Sequence, residues 1–141
     1  MKRIANVAAL VYASAAAAQT GASFPSGVFR TTITDADLRA GHVPSNEWKE
    51  NHGMYTLTLR LGRFVLAQKA PNALAIPISS GADKVTAGVV VFKFSKPAEL
   101  IGLAISTRWT LAGKLLRFKV TAPNDPAVRT VFATHPWHKV G

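Results

Sequence analysis

Residues 50–69 read ENHGMYTLTLRLGRFVLAQK and contain the clearest alternating pattern in the chain. Tyr55, Leu57 and Leu59 alternate with polar residues, which is the period of two expected of a half-buried strand. A second alternating run follows in residues 63–68. The two runs meet at Leu61-Gly62, where a glycine can adopt the positive φ that a tight hairpin turn requires. The stretch therefore predicts a β-hairpin with one apolar and one polar face.

Similar short runs recur along the rest of the chain. Beyond the central hairpin, strands are predicted at Gly27 to Ile33, Lys84 to Thr86, Val89 to Ser95, Leu100 to Leu111, Lys114 to Thr121 and Val128 to Thr134, with a turn at Ser79 to Asp83. About eight antiparallel strands with short turns suit an up-and-down barrel or a sandwich. We expect the barrel, because closure removes exposed strand edges. An eight-stranded barrel is just wide enough to be filled by side chains or to hold one small ligand.

One or two short helices are expected between the first two strands. Thr34 and Asp37 are spaced as in a capping box, and the carboxylates of Asp35 and Asp37 suit the positive end of a helix. Gly41 can end that helix. A second helical turn is predicted from Pro44 to Asn51, with Trp48 as its apolar anchor. Capping therefore gives these acidic residues a structural role.

Length and composition restrict the class of protein. The 141 residues are enough for one domain with one core. A hydrophobic content of 48% with 17% charged residues excludes a disordered chain. Because the chain has no cysteine, it can form neither disulfides nor thiolate metal sites.

The first residues have the pattern of a secretory signal peptide. Met1-Lys2-Arg3 is a basic start, Ile4 to Tyr12 is an apolar run, and Ala13 to Ala18 is a string of small residues. We expect cleavage between Ala18 and Gln19, which would leave residues 19–141 as a single barrel domain. The predicted location is secreted or periplasmic, in the cell envelope. Removal of Lys2 and Arg3 would change the formal charge from +10 to +8, since 10 − 2 = 8.

Four segments together resemble a known group of proteins. They are GVFRTTITDADLRAG (27–41), ENHGMYTLTLRLGR (50–63), RWTLAGKLLRF (108–118) and HPWHKVG (135–141). The chain is similar in these segments to small secreted bacterial proteins with a lipocalin-like, calycin-type barrel. It departs from that pattern at Met54, at the Leu61-Gly62 turn and at Phe64, where the group usually has Thr, an Asp-Gly turn and Trp. The resemblance implies a barrel whose interior takes an apolar ligand, but it implies no activity.

The predicted function is that of a secreted protein binding a small apolar or amphipathic ligand inside the barrel. The candidate cavity wall consists of Tyr55, Leu57, Phe64, Phe92, Trp109 and Phe118, with Arg108 or Gln68 as the polar orienting group. Neighbouring strand residues face opposite sides, so only one of Arg108 and Trp109 can point inward. The apolar residues Leu103 and Ile105 favour Trp109. In the opposite register, Arg108 would recognise an anion inside the cavity.

Two alternatives remain open. Glu50 and His52 lie just before the central strand, and a carboxylate beside an imidazole can transfer protons near neutral pH. They are weak catalytic candidates for an isomerase or cyclase, and the sequence leans against an enzyme because it identifies neither nucleophile nor substrate. The other alternative is an envelope interaction module with a packed core and a basic outer surface. We expect a monomer with at most weak contact to anionic surfaces, and no nucleic-acid partner.

The remaining histidines do not predict a metal or haem site. His135 and His138 lie three residues apart in an extended segment that contains a proline, so their side chains are not expected to point the same way. We therefore expect no metal and no cofactor. Trp137, between them, is expected to pack as a plug that holds the C-terminal residues against the barrel.

Overall fold

A computed structural model describes residues 23–69 and 78–141. In these residues eight antiparallel strands form a closed barrel in sequence order, and the last strand pairs with the first. The strands are β1 (Gly27–Ile33), β2 (Gly53–Arg60), β3 (Arg63–Lys69), β4 (Ile78–Thr86), β5 (Val89–Lys96), β6 (Ala104–Ala112), β7 (Leu115–Ala122) and β8 (Trp137–Lys139). The predicted fold, all-β with an eight-stranded antiparallel barrel, is confirmed. The predicted signal peptide, residues 1–18, lies outside the described residues.

The two ends of the barrel differ in their connections. At one end, here called the turn end, strands are joined by the two-residue turns Leu61-Gly62, Ala87-Gly88 and Gly113-Lys114. The opposite end, here called the helical end, carries the longer connections. Between β1 and β2 these are α1 (Asp35–Ala40), a 3-10 turn (Ser45–Glu47) and α2 (Trp48–Asn51). The short helices predicted there are thus confirmed. A 3-10 turn (Ala98–Leu100) precedes β6, and α3 (Pro126–Ala133) precedes β8.

The strand predicted from Val128 to Thr134 is wrong, because these residues belong mostly to α3. Asp125 caps this helix, accepting a 3.0 Å hydrogen bond from the backbone N–H of Val128, and Pro126 occupies its first turn, where a proline costs no hydrogen bond. The eighth strand is instead β8, which pairs with both β1 and β7. The barrel thus closes through a three-residue strand.

The turn predicted from Ser79 to Asp83 is also wrong. These residues lie within β4, which pairs with both β3 and β5, and its register shifts between Ser80 and Gly81. A β-carbon on Gly81 would collide with the carbonyl oxygen of Lys93 on β5. The serine and glycine residues that suggested a turn therefore form a β-bulge, at which the backbones of β4 and β5 approach each other closely.

Aromatic side chains from both ends meet in the core. Phe92 of β5 is fully buried, and its ring centroid lies 5.1 Å from that of Phe64 and 5.7 Å from those of Phe118 and Phe132. Phe132 enters from α3 at the helical end. Phe24, which precedes β1, packs on Phe92 from the turn end at 6.1 Å. Rings in edge-to-face contact therefore occupy the central part of the barrel.

Candidate functional site

The residues predicted to line a deep cavity are packed against one another. Tyr55, Leu57, Phe64, Phe92, Trp109 and Phe118 are all buried. Between β5 and β7 the rings of Phe92 and Phe118 are in edge-to-face contact, and Trp109 on β6 is covered by Phe24 at a centroid distance of 5.3 Å. The structure brings the predicted set together, but mainly as core.

The structure places Trp109 inward and Arg108 outward. Trp109 is only 4% exposed, whereas Arg108 is exposed on the outer wall, directly across from Lys119 of β7. Arg108 therefore does not reach the barrel interior and is not available as the orienting group of a ligand held there.

Three buried polar atoms have no hydrogen-bond partner among the described residues. They are the hydroxyls of Thr31 and Thr107 and the indole Nε1 of Trp109. Thr107 and Trp109 lie two residues apart on β6 and face the same way. An unpaired buried polar group costs about 1–3 kcal/mol. Neither Thr31 nor Thr107 was among the predicted site residues; the only signal for them in the sequence is a polar residue at an inward-facing strand position.

A pocket of about 180 Å³ opens at the helical end, between β2, β3, β4 and the connection from β5 to β6. We call it the mouth pocket; it is lined by Tyr55, Leu66, Gln68, Ile78, Ser79, Pro97 and Leu100. Its walls are mainly apolar. Two of the predicted site residues, Tyr55 and Gln68, contribute to it, whereas Leu66, Ile78 and Leu100 were not predicted. Long-range pairing of β3 with β4 is what brings Leu66 and Ile78 to the same place.

Gln68 and Tyr55 anchor the end of α2 to the rim of this pocket. The Gln68 side-chain amide donates to the backbone carbonyls of Glu50 at 2.7 Å and His52 at 2.9 Å. Because these bonds use the amide hydrogens, the Gln68 side-chain oxygen remains as an acceptor. The Tyr55 hydroxyl donates to the carbonyl of Asn51 at 2.8 Å, and burial raises the pKa of Tyr55, which keeps the phenol neutral near pH 7.

Glu50 and His52 do not form the predicted acid–base pair. The Nδ1 atom of His52 lies 2.9 Å from a carboxylate oxygen of Asp35 in α1, while Glu50 is exposed. A carboxylate on Nδ1 fixes the orientation of the imidazole and leaves Nε2 to accept or donate a proton. This partner lies 17 residues away, and only the folding of α1 against the start of β2 brings it close.

A second histidine pairs with the same helix. Nε2 of His135 lies 3.0 Å from a carboxylate oxygen of Asp37, which also accepts a hydrogen bond from the backbone N–H of Thr34. Burial raises the pKa of Asp37, but the hydrogen bonds from Thr34 and His135 outweigh it, so this pKa lies below its ordinary value. The predicted capping box of Thr34 and Asp37 is present. α1 is thereby tied both to β2 and to the segment after α3.

The C-terminal residues are held by Trp137. Its side chain is fully buried, and its indole N–H donates to the carbonyl of Phe132 at 3.1 Å.

In residues 23–69 and 78–141, no three His, Cys, Asp or Glu side chains lie close enough together to hold a metal ion. Within the same ranges no helix is long and apolar enough to cross a membrane.

Comparison with known proteins does not identify the chain. No protein-family model matches it, and no curated protein or solved structure does so either. The resemblance to secreted lipocalin-like proteins therefore stays a prediction, while the eight-stranded closed barrel is established independently by the strand pairing.

Proposed function

We propose that this protein binds a small apolar or amphipathic ligand, and that the ligand enters the mouth pocket rather than the centre of the barrel. One observation carries the proposal: an apolar pocket at the helical end, beside a barrel centre occupied by aromatic rings, contains the side-chain oxygen of Gln68, which accepts no hydrogen bond from residues 23–69 or 78–141. Leu66, Ile78 and Leu100 would contact the apolar part of the ligand. The oxygen of Gln68 would accept a hydrogen bond from its polar group.

The pocket volume limits the ligand. Pockets for drug-sized molecules usually enclose about 300–1,000 Å³, so 180 Å³ fits a smaller compound or one arm of a longer amphipathic molecule. The residues predicted as a signal peptide support a role outside the cytoplasm, where a carrier of apolar compounds would meet its ligand in the envelope or medium.

The first experiment is native mass spectrometry of the protein purified from its own envelope or medium, together with lipid extraction. A stoichiometric bound mass is expected, and it would identify the ligand. A clean apo mass, combined with no binding of an apolar fluorescent probe, would refute the proposal.

Neighbouring residues provide a matched pair of variants for the probe titration. Leu100 lines the mouth pocket, whereas Ile101 is exposed and is not among its lining residues. Leu100→Asp should weaken probe binding at least about tenfold, because a carboxylate would have to be desolvated against the apolar ligand. Ile101→Asp should leave it unchanged. Equal effects of the two substitutions would locate the probe elsewhere.

An enzymatic role is the second candidate, and the pairing of Asp35 with His52 favours it. The backbone carbonyl of His52 bonds to Gln68 at the mouth pocket, so this imidazole belongs to the same region as the proposed ligand. Once the ligand is known, its conversion should be lost in His52→Ala and reduced in Asp35→Asn, whereas Glu50→Gln should be active. Unchanged turnover in His52→Ala would exclude this role.

A further inference from the structure

Positive charge is concentrated on the barrel wall and the turn end. Six of the seven acidic residues lie in the connections of the helical end; the exception is Asp83 in β4. The only ion pairs among the described residues are the two Asp–His pairs of α1, so no lysine or arginine in them forms one. The cations on the wall and turn end are Arg30, Arg60, Arg63, Lys84, Lys93, Arg108, Lys114, Arg117, Lys119 and Lys139. These cations give the barrel an electrostatic polarity from one end to the other.

Apolar side chains are exposed at this same end. Leu61 in the first turn is 91% exposed, and Val85 and Leu111, near the second and third turns, are 37% and 36% exposed. Leu61 and Val85 line a common pocket with Phe24. Arg60 and Arg63, paired directly across the hairpin, flank Leu61 on both sides, and Lys114 lies in the third turn. The turn end is thus an apolar rim bordered by cations that form no ion pair with any described residue, and Asp83 is the one carboxylate beside it.

The conformation of Leu61 makes its presence there unfavourable in water. Its φ of 51° lies in the left-handed region, which a two-residue turn of this type normally fills with Asn, Asp or Gly. The side chain of Leu61 is not buried within the described part of the protein, so no packing offsets this strain. Leu61 is thus an almost fully exposed leucine at a position that suits a polar residue or glycine better, and an apolar phase outside the protein would cover its side chain.

We infer that the turn end docks onto an anionic lipid surface, with the lysines and arginines at the headgroups and Leu61 inserted among the acyl chains. Apolar residues bordered by basic ones are the usual composition of surfaces that bind at the membrane interface. Ile78 and Ile101 are also exposed at the helical end. There, however, six acidic residues offset the five cations Arg39, Lys49, Lys69, Lys96 and Arg129, which disfavours an anionic surface. The inference is independent of the proposed ligand. If both hold, the mouth pocket faces away from the membrane.

The test is co-sedimentation with vesicles of phosphatidylcholine, with and without phosphatidylglycerol, at low and high salt. Every variant has the same N-terminus, so that residues 1–22 contribute equally throughout. We expect binding only to the anionic vesicles, weakened by salt. Leu61→Asn should reduce the affinity by about tenfold through lost apolar burial, and Arg63→Gln by about fivefold through the loss of one charge near the surface.

The controls separate docking from misfolding and from general basicity. Asn is better suited than Leu to the backbone of position 61, so Leu61→Asn should fold at least as well as the wild type. Ile101→Asn and Lys96→Gln make the same chemical changes at the helical end and should leave vesicle binding unchanged. Because the chain has no cysteine, a fluorophore can be attached singly at Leu61→Cys or Ile101→Cys. Only the first label should shift its emission to the blue when anionic vesicles are added.

Several results would overturn the inference. Wild-type protein that fails to bind anionic vesicles contradicts it directly, as does binding that Leu61→Asn does not weaken. Equal losses from the substitutions at the two ends would mean that no particular end docks. Retention on heparin without vesicle binding would replace the lipid surface with an acidic glycan.

Discussion

Phe92→Ala tests whether the barrel is filled by its own side chains. Phe92 is fully buried, and four rings lie around it with centroid distances of 5.1 Å (Phe64), 5.7 Å (Phe118 and Phe132) and 6.1 Å (Phe24). Truncating a core phenylalanine to alanine typically costs about 3–5 kcal/mol. Because several edge-to-face contacts are lost as well, we expect a value of about 4–5 kcal/mol. That is a large part of the total stability of an ordinary domain, about 5–15 kcal/mol.

Urea unfolding followed by circular dichroism provides the measurement. The midpoint should fall while the slope m stays constant, since the substitution changes stability and not the surface exposed on unfolding. Val65→Ala is the matched control: Val65 lies on the outer face of β3 and is 39% exposed, so its truncation should cost less than about 1 kcal/mol. If Phe92→Ala does not fold, Phe92→Leu, expected to cost about 1–2 kcal/mol, gives a measurable transition.

A loss below about 1 kcal/mol for Phe92→Ala, with m unchanged, would refute this reasoning. It would mean that Phe92 borders open space instead of filling it. The ligand would then belong in the centre of the barrel, and the proposal that it enters only the mouth pocket would be wrong.

Substitutions at three further positions each probe one feature of the fold. Gly81→Ala should cost about 2 kcal/mol or more, measured by urea unfolding, because the new methyl group meets a backbone carbonyl that cannot move aside; an unchanged midpoint would contradict the close approach at the bulge. Asp125→Ala should lower stability by about 1 kcal/mol through the lost helix cap, and Asp125→Asn, which can still cap, should restore most of it. The pKa of Asp37 in the folded protein lies below the ordinary carboxyl pKa. The ionised carboxylate therefore stabilises the fold at pH values above the ordinary pKa, and this stabilisation is lost as the pH falls through the folded-state pKa. Asp37→Asn should therefore flatten the acid limb of the stability curve, and an identical limb in the variant would show that other groups produce it.

Local features of the chain were readable from the sequence. The alternation of Tyr55, Leu57 and Leu59 gives the inward face of β2, and Leu61-Gly62 gives its turn. The capping box of Thr34 and Asp37 marks the start of α1. Each of these depends on residues a few positions apart, which interact in nearly the same way whatever the rest of the chain does.

α3 shows where such reasoning fails. Val128, Thr130 and Phe132 alternate as in a strand, but the signal of Asp125-Pro126 for a helix start was also present. Both periodicities fit so short a segment. Burial distinguishes them: the consecutive residues Thr130, Val131 and Phe132 are all buried, whereas in a strand with one face on the core Val131 would point away from it.

The candidate site was only partly predictable, for the same reason. Tyr55 on β2 and Gln68 on β3 could be selected because the alternation in both strands is clear, but Ile78 lies beside a segment that was predicted as a turn. The partner of His52 could not be foreseen, since Asp35 approaches it only when α1 folds over the barrel end.

The sequence by itself determined most of the strands, their faces and the two-residue turns, because periodicity and turn chemistry are local; it determined neither β8 nor the first half of β4. Only the tertiary structure decided whether the inward rings line a cavity or touch one another. It also decided that Asp35 meets His52 and Asp37 meets His135, and at which end Leu61 is exposed among cations that form no ion pair within the described residues. These properties depend on distances between residues far apart in the chain, and closure of the barrel fixes those distances.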